Sequence, residues 1–88
     1  MNKVQRDLYR LTLEAISICK PTSTVIFNKL IKARTHTDDA ELRRLIETLE
    51  ASYRGASHVP TMPIKDMSRC RASAGALAGY CRRRLDEQ

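Results

Sequence analysis

The side chains equipped to bind or react are three cysteines, two histidines and an excess of cations, 16 Lys and Arg against 10 Asp and Glu. His36 and His58 fall in expected turns, and no cluster of His and Cys has zinc-ligand spacing. Cys19, Cys70 and Cys81 form no close C-x-x-C pair, so free thiols in a reducing compartment are expected. If Cys70 and Cys81 share one helix they lie too far apart to bridge. The glycine-rich phosphate, dinucleotide and hydrolase motifs do not occur. Asp38, Asp39, Glu41, Glu47 and Glu50 are expected to cap a helix and line its solvated face. No catalytic residue and no metal site are therefore expected, and the chemistry left is that of cations. A net charge of +6 favours an anionic partner: nucleic acid, an anionic membrane surface or an acidic protein.

The cations fall into two groups. Arg6 and Arg10, with Lys29, Lys32 and Arg34, can line one side of a helical bundle, and Arg43 and Arg44 can add to it. Each exposed ion pair is worth no more than about 1 kcal/mol, so such a surface needs several pairs plus apolar contact to bind a row of carboxylates or phosphates. Arg69, Arg71 and the run Arg82-Arg83-Arg84 form a second group, suited to phosphate contacts or to a helix C-terminus.

Apolar periodicity supplies the elements that position these residues. A first helix is expected from about Asn2 to Cys19, ended by Pro21. Val4, Leu8, Leu11, Ala15 and Ile18 form one stripe on it, and Tyr9, Leu13 and Ile16 a second, nearly opposite. A second helix spans about Ser23 to Arg34, with Ile26, Phe27, Leu30, Ile31 and Ala33 on its apolar arc. Thr37 or Asp38 is the expected cap of a third, whose stripe is Leu42, Leu45, Ile46, Leu49 and Tyr53, with Glu50 and Arg54 at pairing distance and Gly55 as its stop. Pro60 and Pro63 make residues 56 to 67 an extended connector. Asp66 or Ser68 then caps a weaker helix to about Leu85, with Ala74, Leu77, Ala78, Cys81 and Leu85 on its stripe and Tyr80 to one side. Gly75 and Gly79 each cost that helix about 1 kcal/mol relative to alanine.

The expected fold is thus all-α: an antiparallel three-helix bundle over residues 1–55, and an extended, partly helical C-terminal tail over 56–88 that docks on a partner. Three helices cannot cover both stripes of the first, so the surplus stripe is expected to meet another molecule. The longest apolar run, Val25-Ile26-Phe27, is far short of a membrane span. No secretory signal is expected, because the first residues run straight into the amphipathic pattern, a basic helix compatible with mitochondrial import.

Leu8-Tyr9-Arg10 on the first helix of a small basic helical chain resembles the LYR-motif family of mitochondrial proteins. The resemblance covers roughly Met1 to Gly55 and includes the Thr37-Asp38-Asp39-Ala40-Glu41 opening of the third helix. It implies a non-enzymatic adaptor in the mitochondrial matrix that binds acyl carrier protein, whose acyl-4'-phosphopantetheine arm enters the helical bundle. Members serve in iron-sulfur cluster biogenesis, in respiratory complexes and their assembly, and in mitochondrial ribosome assembly. On this resemblance Tyr9 and Arg10 border the mouth for the arm, while Arg6, Lys29, Lys32, Arg34, Arg43 and Arg44 meet carrier carboxylates. Leu13, Ile16, Ile26, Leu30 and Leu45, picked from helical periodicity, are the candidates to line the acyl tunnel. The family usually places a phenylalanine after the basic cluster of the second helix, whereas Phe27 precedes Lys29 and Lys32 here and Ile31 takes the comparable place.

The basic tail favours a ribosome or a ribosome assembly intermediate as host, with Arg69, Arg71, Arg82, Arg83 and Arg84 as contacts to RNA or a protein partner. A respiratory-complex subunit, or an iron-sulfur or respiratory assembly factor, is the alternative within the family. A small basic helical RNA-binding protein is the alternative outside it. Phe27, Tyr9, Tyr53 and Tyr80 are the only aromatics, and most lie on packing stripes, which leaves little for base stacking.

Overall fold

The computed structural model describes residues 2–18, 23–53 and 62–87, and among these the regular structure is all helical. Four α-helices occur, α1 (Lys3–Ser17), α2 (Ser23–His36), α3 (Ala40–Tyr53) and α4 (Arg71–Asp86), with a short 3-10 turn at Ile64–Asp66 before the last. Asn2 caps α1, its side-chain oxygen accepting the Gln5 amide at 2.9 Å. Cys19, Arg54, Gly55, His58 and Pro60 lie outside the described residues, and so do the expectations placed on them. No described helix is long and apolar enough to cross a membrane.

The helices alternate in direction. Gln5 reaches the His36 carbonyl while Glu14 pairs with Lys29, so α1 and α2 run antiparallel. Ser52 meets Ser73 while Asp39 meets Tyr80, which sets α3 antiparallel to α4. Packing runs in a ring, α1 on α2, α2 on α3, α3 on α4 and α4 back on α1. One core fills the centre, with Ile16, Ile26, Leu30, Leu42, Ile46, Leu49, Tyr53, Ile64 and Leu77 all essentially without solvent exposure. The Phe27 and Tyr53 rings stack obliquely at 4.8 Å between α2 and α3.

The main departure from the expected three helices and tail is α4. Ala74, Leu77, Ala78 and Cys81 lie on the expected stripe and are buried, but against α1 and α3 of the same chain. The physical reason lies on α1. Leu8, Tyr9, Thr12, Ala15 and Ile16 are buried together, so the two stripes join into one broad arc shared between α2 and α4. Val4 stays exposed, and Leu11, Leu13 and Ile18 are half-buried at the edges. The surplus stripe is therefore covered largely by the chain's own last helix.

Helix ends also shift from expectation. α2 continues to His36 because the Thr37 amide still bonds to the Ala33 carbonyl at 3.1 Å. The cap of α3 is neither Thr37 nor Asp38 but Asp39, whose Oδ1 accepts the Glu41 and Leu42 amides at 3.0 and 3.1 Å. α4 starts at Arg71, after Cys70, with no side-chain cap from Asp66 or Ser68. Cys70 and Cys81 are free, buried thiols.

Gly75 and Gly79 lie on the outer side of α4, and a Cβ built on either meets nothing within 4 Å. Among the described residues their helix cost is thus not offset by any close approach. Gly75→Ala and Gly79→Ala should each raise the unfolding free energy by about 1 kcal/mol, read as a shift of the urea midpoint at constant slope.

Candidate functional site

The bundle end that carries the starts of α1 and α3 holds a cluster of polar side chains. Asp39 stands there as the cap of α3, and its Oδ2 accepts hydrogen bonds from the Tyr9 hydroxyl of α1 and, at 2.5 Å, from the Tyr80 hydroxyl of α4. Arg84, one turn beyond Tyr80, brings Nε to 3.7 Å from the same oxygen and donates to the Tyr9 hydroxyl at 3.4 Å. The two tyrosine rings lie 6.4 Å apart, tilted by 53°. Gln5 closes the end by accepting the Asp38 amide at 2.9 Å. These groups line an open cleft of about 470 Å³, with Ala40 as its apolar wall.

Electrostatics follow from this geometry. Burial pushes the Asp39 carboxyl upward, but hydrogen bonds from Tyr80, Tyr9 and the Leu42 and Glu41 amides outweigh it, and the net shift is downward. Burial, then the bond to Asp39, raises both Tyr9 and Tyr80 above the ordinary phenol value. Burial likewise pushes the Cys81 thiol up to about 12, so it is not a thiolate near neutrality. With both oxygens of Asp39 occupied by donors and both phenols held protonated, the cluster ties α1, α3 and α4 together. Asp39 is thus more than a solvated dipole partner.

Tyr9 is consequently an interior residue, 2% exposed, and does not face the surface beside Arg10. Arg10 points outward and lies 3.7 Å from Asp7, both side chains being more than half exposed. Lys29 pairs with Glu14 at 3.2 Å across α1 and α2. Arg10 is one turn from Glu14, and Lys32 one turn from Lys29, so the antiparallel register sets Arg10 and exposed Lys32 level on one outer face. Arg6 is half-buried on α1.

Three other expected members of that surface are engaged elsewhere. Arg34 binds Glu50 of α3 at 2.8 Å, which takes Glu50 out of the solvated face expected for it. Arg43 donates to the Arg34 and Thr37 carbonyls at 3.3 and 2.7 Å and secures the turn between α2 and α3. Arg44 forms a two-pronged pair with Glu41 on the α3 side facing α4. Among the tunnel candidates, Ile16, Ile26 and Leu30 are sealed in the core, whereas Leu13 and Leu45 are half-buried at its margin.

The tail arginines are also divided. Arg69 and Arg71 are exposed at the start of α4, Arg82 and Arg83 at its other end, and Arg84 turns into the Asp39 cluster. Among the described residues no group of three metal-ligating side chains occurs.

No protein-family model, curated protein or solved structure matches this chain. The resemblance therefore stands on the sequence alone, on Leu8-Tyr9-Arg10 and the Thr37-Asp38-Asp39-Ala40-Glu41 opening. In the fold the first three divide by role: Leu8 and Tyr9 go inward and Arg10 goes outward.

Proposed function

We propose that this chain is a non-enzymatic adaptor that binds mitochondrial acyl carrier protein in the matrix and joins it to a larger mitochondrial assembly. The observation that supports this reading best is the outer face of α1 and α2, where Arg10 and Lys32 stand level beside the Lys29–Glu14 pair. Carrier carboxylates can approach that face without breaking any contact that holds the bundle, since the nearest acid, Asp7, is itself exposed and 3.7 Å from Arg10. Tyr9 then acts as a support that fixes α1, and Arg10 as the contact.

The acyl chain would be accommodated by parting α1 from its neighbours, because Ile16, Ile26 and Leu30 are closed to solvent in the free chain. The partner supplies the acyl-4'-phosphopantetheine. A ribosome or ribosome assembly intermediate is the favoured host, supported by the exposed Arg82 and Arg83, with a respiratory complex or its assembly machinery as the alternative.

Reversing both exposed cations, Arg10→Glu with Lys32→Glu, should weaken retention of purified acylated carrier protein by about tenfold or more. The melting curve should stay close to wild type, because neither side chain is buried. Intact mass spectrometry of the co-purified complex checks the identity of the retained species. If no phosphopantetheine-bearing partner is retained by the wild type, or the double reversal retains it equally, the reading fails.

A further inference from the structure

On the side of the bundle opposite the α1–α2 face, α3 and α4 leave a groove of about 450 Å³. Its floor is backbone-close: Gly75, Ala76 and Gly79 are exposed along α4, and half-buried Leu45 adds apolar surface from α3. Arg44 rises on the α3 wall and Arg83 on the α4 wall, where its guanidinium lies 5.8 Å from the centre of the Tyr80 ring. Glu41 is the one acid in the lining, and both prongs of Arg44 hold it. The groove thus has an apolar floor, an ion-paired α3 wall, a cationic α4 wall and, just beyond Arg83, the exposed Arg82.

We propose that this groove is the docking site for an acidic amphipathic helix of a partner protein. Glycines one turn apart leave room for a second helix to approach α4 closely, since among the described residues no other element lies within 4 Å of a Cβ at either position. The α4 wall then chooses the sign of the partner. Arg44 is already paired with Glu41, so Arg83 and the exposed Arg82 beside it carry the attraction: in a chain of net charge +6, acids bordering the incoming apolar stripe on its α4 side find cations there. A second copy of this chain would bring its own Arg82 and Arg83 to this surface, and a nucleic acid would leave the apolar Leu45, Gly75 and Ala76 floor unused. The groove is remote from Arg10 and Lys32, so this assignment stands whether or not a carrier protein binds the opposite face.

The test uses the whole chain and a labelled synthetic amphipathic helix of about five turns, its alanine face bordered by two rows of glutamate. The same peptide with lysine for glutamate, and a labelled single-stranded RNA, serve as comparison probes in a fluorescence anisotropy titration. The glutamate peptide should bind about tenfold or more tightly than the lysine peptide, and Gly79→Leu and Arg83→Glu should each weaken it about tenfold while still melting cooperatively, Gly79→Leu no lower than wild type. In the wild-type chain, independent of any variant's folding, the peptide should shift the amide resonances of Leu45, Gly75, Ala76 and Gly79. The proposal is overturned if those resonances do not move, if Gly79→Leu binds like wild type, or if the lysine peptide binds equally well. It is overturned as well if RNA binds more tightly than the glutamate peptide, or if sedimentation finds a wild-type dimer that Gly79→Leu converts to monomer.

Discussion

Asp39→Ala should lower the unfolding free energy by about 3 to 4 kcal/mol, the largest loss expected from any polar substitution in the chain. Three losses coincide. The Glu41 and Leu42 amides lose their cap, worth about 1 kcal/mol in typical helices. The Tyr9 and Tyr80 hydroxyls lose a charged acceptor, and such bonds contribute about 1.5 to 3 kcal/mol. Arg84 loses its approach to Asp39 at 3.7 Å and keeps its pair with Glu87. Against a total of about 4 to 13 kcal/mol for a chain of this length this is a large fraction, and the urea midpoint should fall by about 1 to 4 M at unchanged slope. Asp39→Asn keeps a cap oxygen and an amide that can bond a phenol, so it should cost only about 1 to 2 kcal/mol.

The pH dependence gives the same residue a second readout. The folded Asp39 has a lowered pKa, so its contribution is complete above the unfolded value near 3.9 and is lost as pH falls through the folded one. Tyr9 and Tyr80 have raised values, so their contribution is present below about 10 and is lost as pH rises beyond it. Stability should be flat across neutrality and fall on both sides. Asp39→Asn should make the acid limb shallower, and equal acid limbs for wild type and variant would show that the carboxylate is not the group the phenols hold.

A chain ended at Gly55 should fail to fold cooperatively, giving no sharp thermal transition where the whole chain gives one. It lacks Ile64, Cys70, Ala74, Leu77, Ala78 and Cys81, all buried in the same core that α1, α2 and α3 share. Ile64 and Leu77 alone account for about 3 to 6 kcal/mol of burial, comparable with the whole stability expected for the chain. The truncation also uncovers Tyr9 and its arc on α1, and it leaves Asp39 with one phenol in place of two and without Arg84. A cooperative transition in the shorter chain would restore the division into a self-standing three-helix unit and a tail.

Much of this fold is legible in local pattern. The spacing of Leu42, Ile46, Leu49 and Tyr53 specifies the buried face of α3, and Ala74, Leu77, Ala78 and Cys81 that of α4, because helical geometry alone puts such residues on one side. The cap of α3 is less legible, since Thr37, Asp38 and Asp39 can each accept an amide and only the position of the first turn distinguishes them. The candidate site is less legible again. Arg10 and Lys32 come level through the register of α1 on α2, and Arg34, identical in charge, is diverted to Glu50 by its position between α2 and α3.

Leu8-Tyr9-Arg10 shows where the boundary falls. The sequence by itself determined four helical segments, a basic surface, and a first helix with a broad apolar face. It could not say what meets that face, because the answer depends on contacts across about 70 residues of chain. Tertiary structure decided that α4 covers it, that Tyr9 and Tyr80 share the Asp39 carboxylate, and that Arg84 leaves the basic run to join them. The physical reason is that periodicity fixes the direction of a side chain around its own helix, whereas its partner is chosen by how the helices pack in the ring.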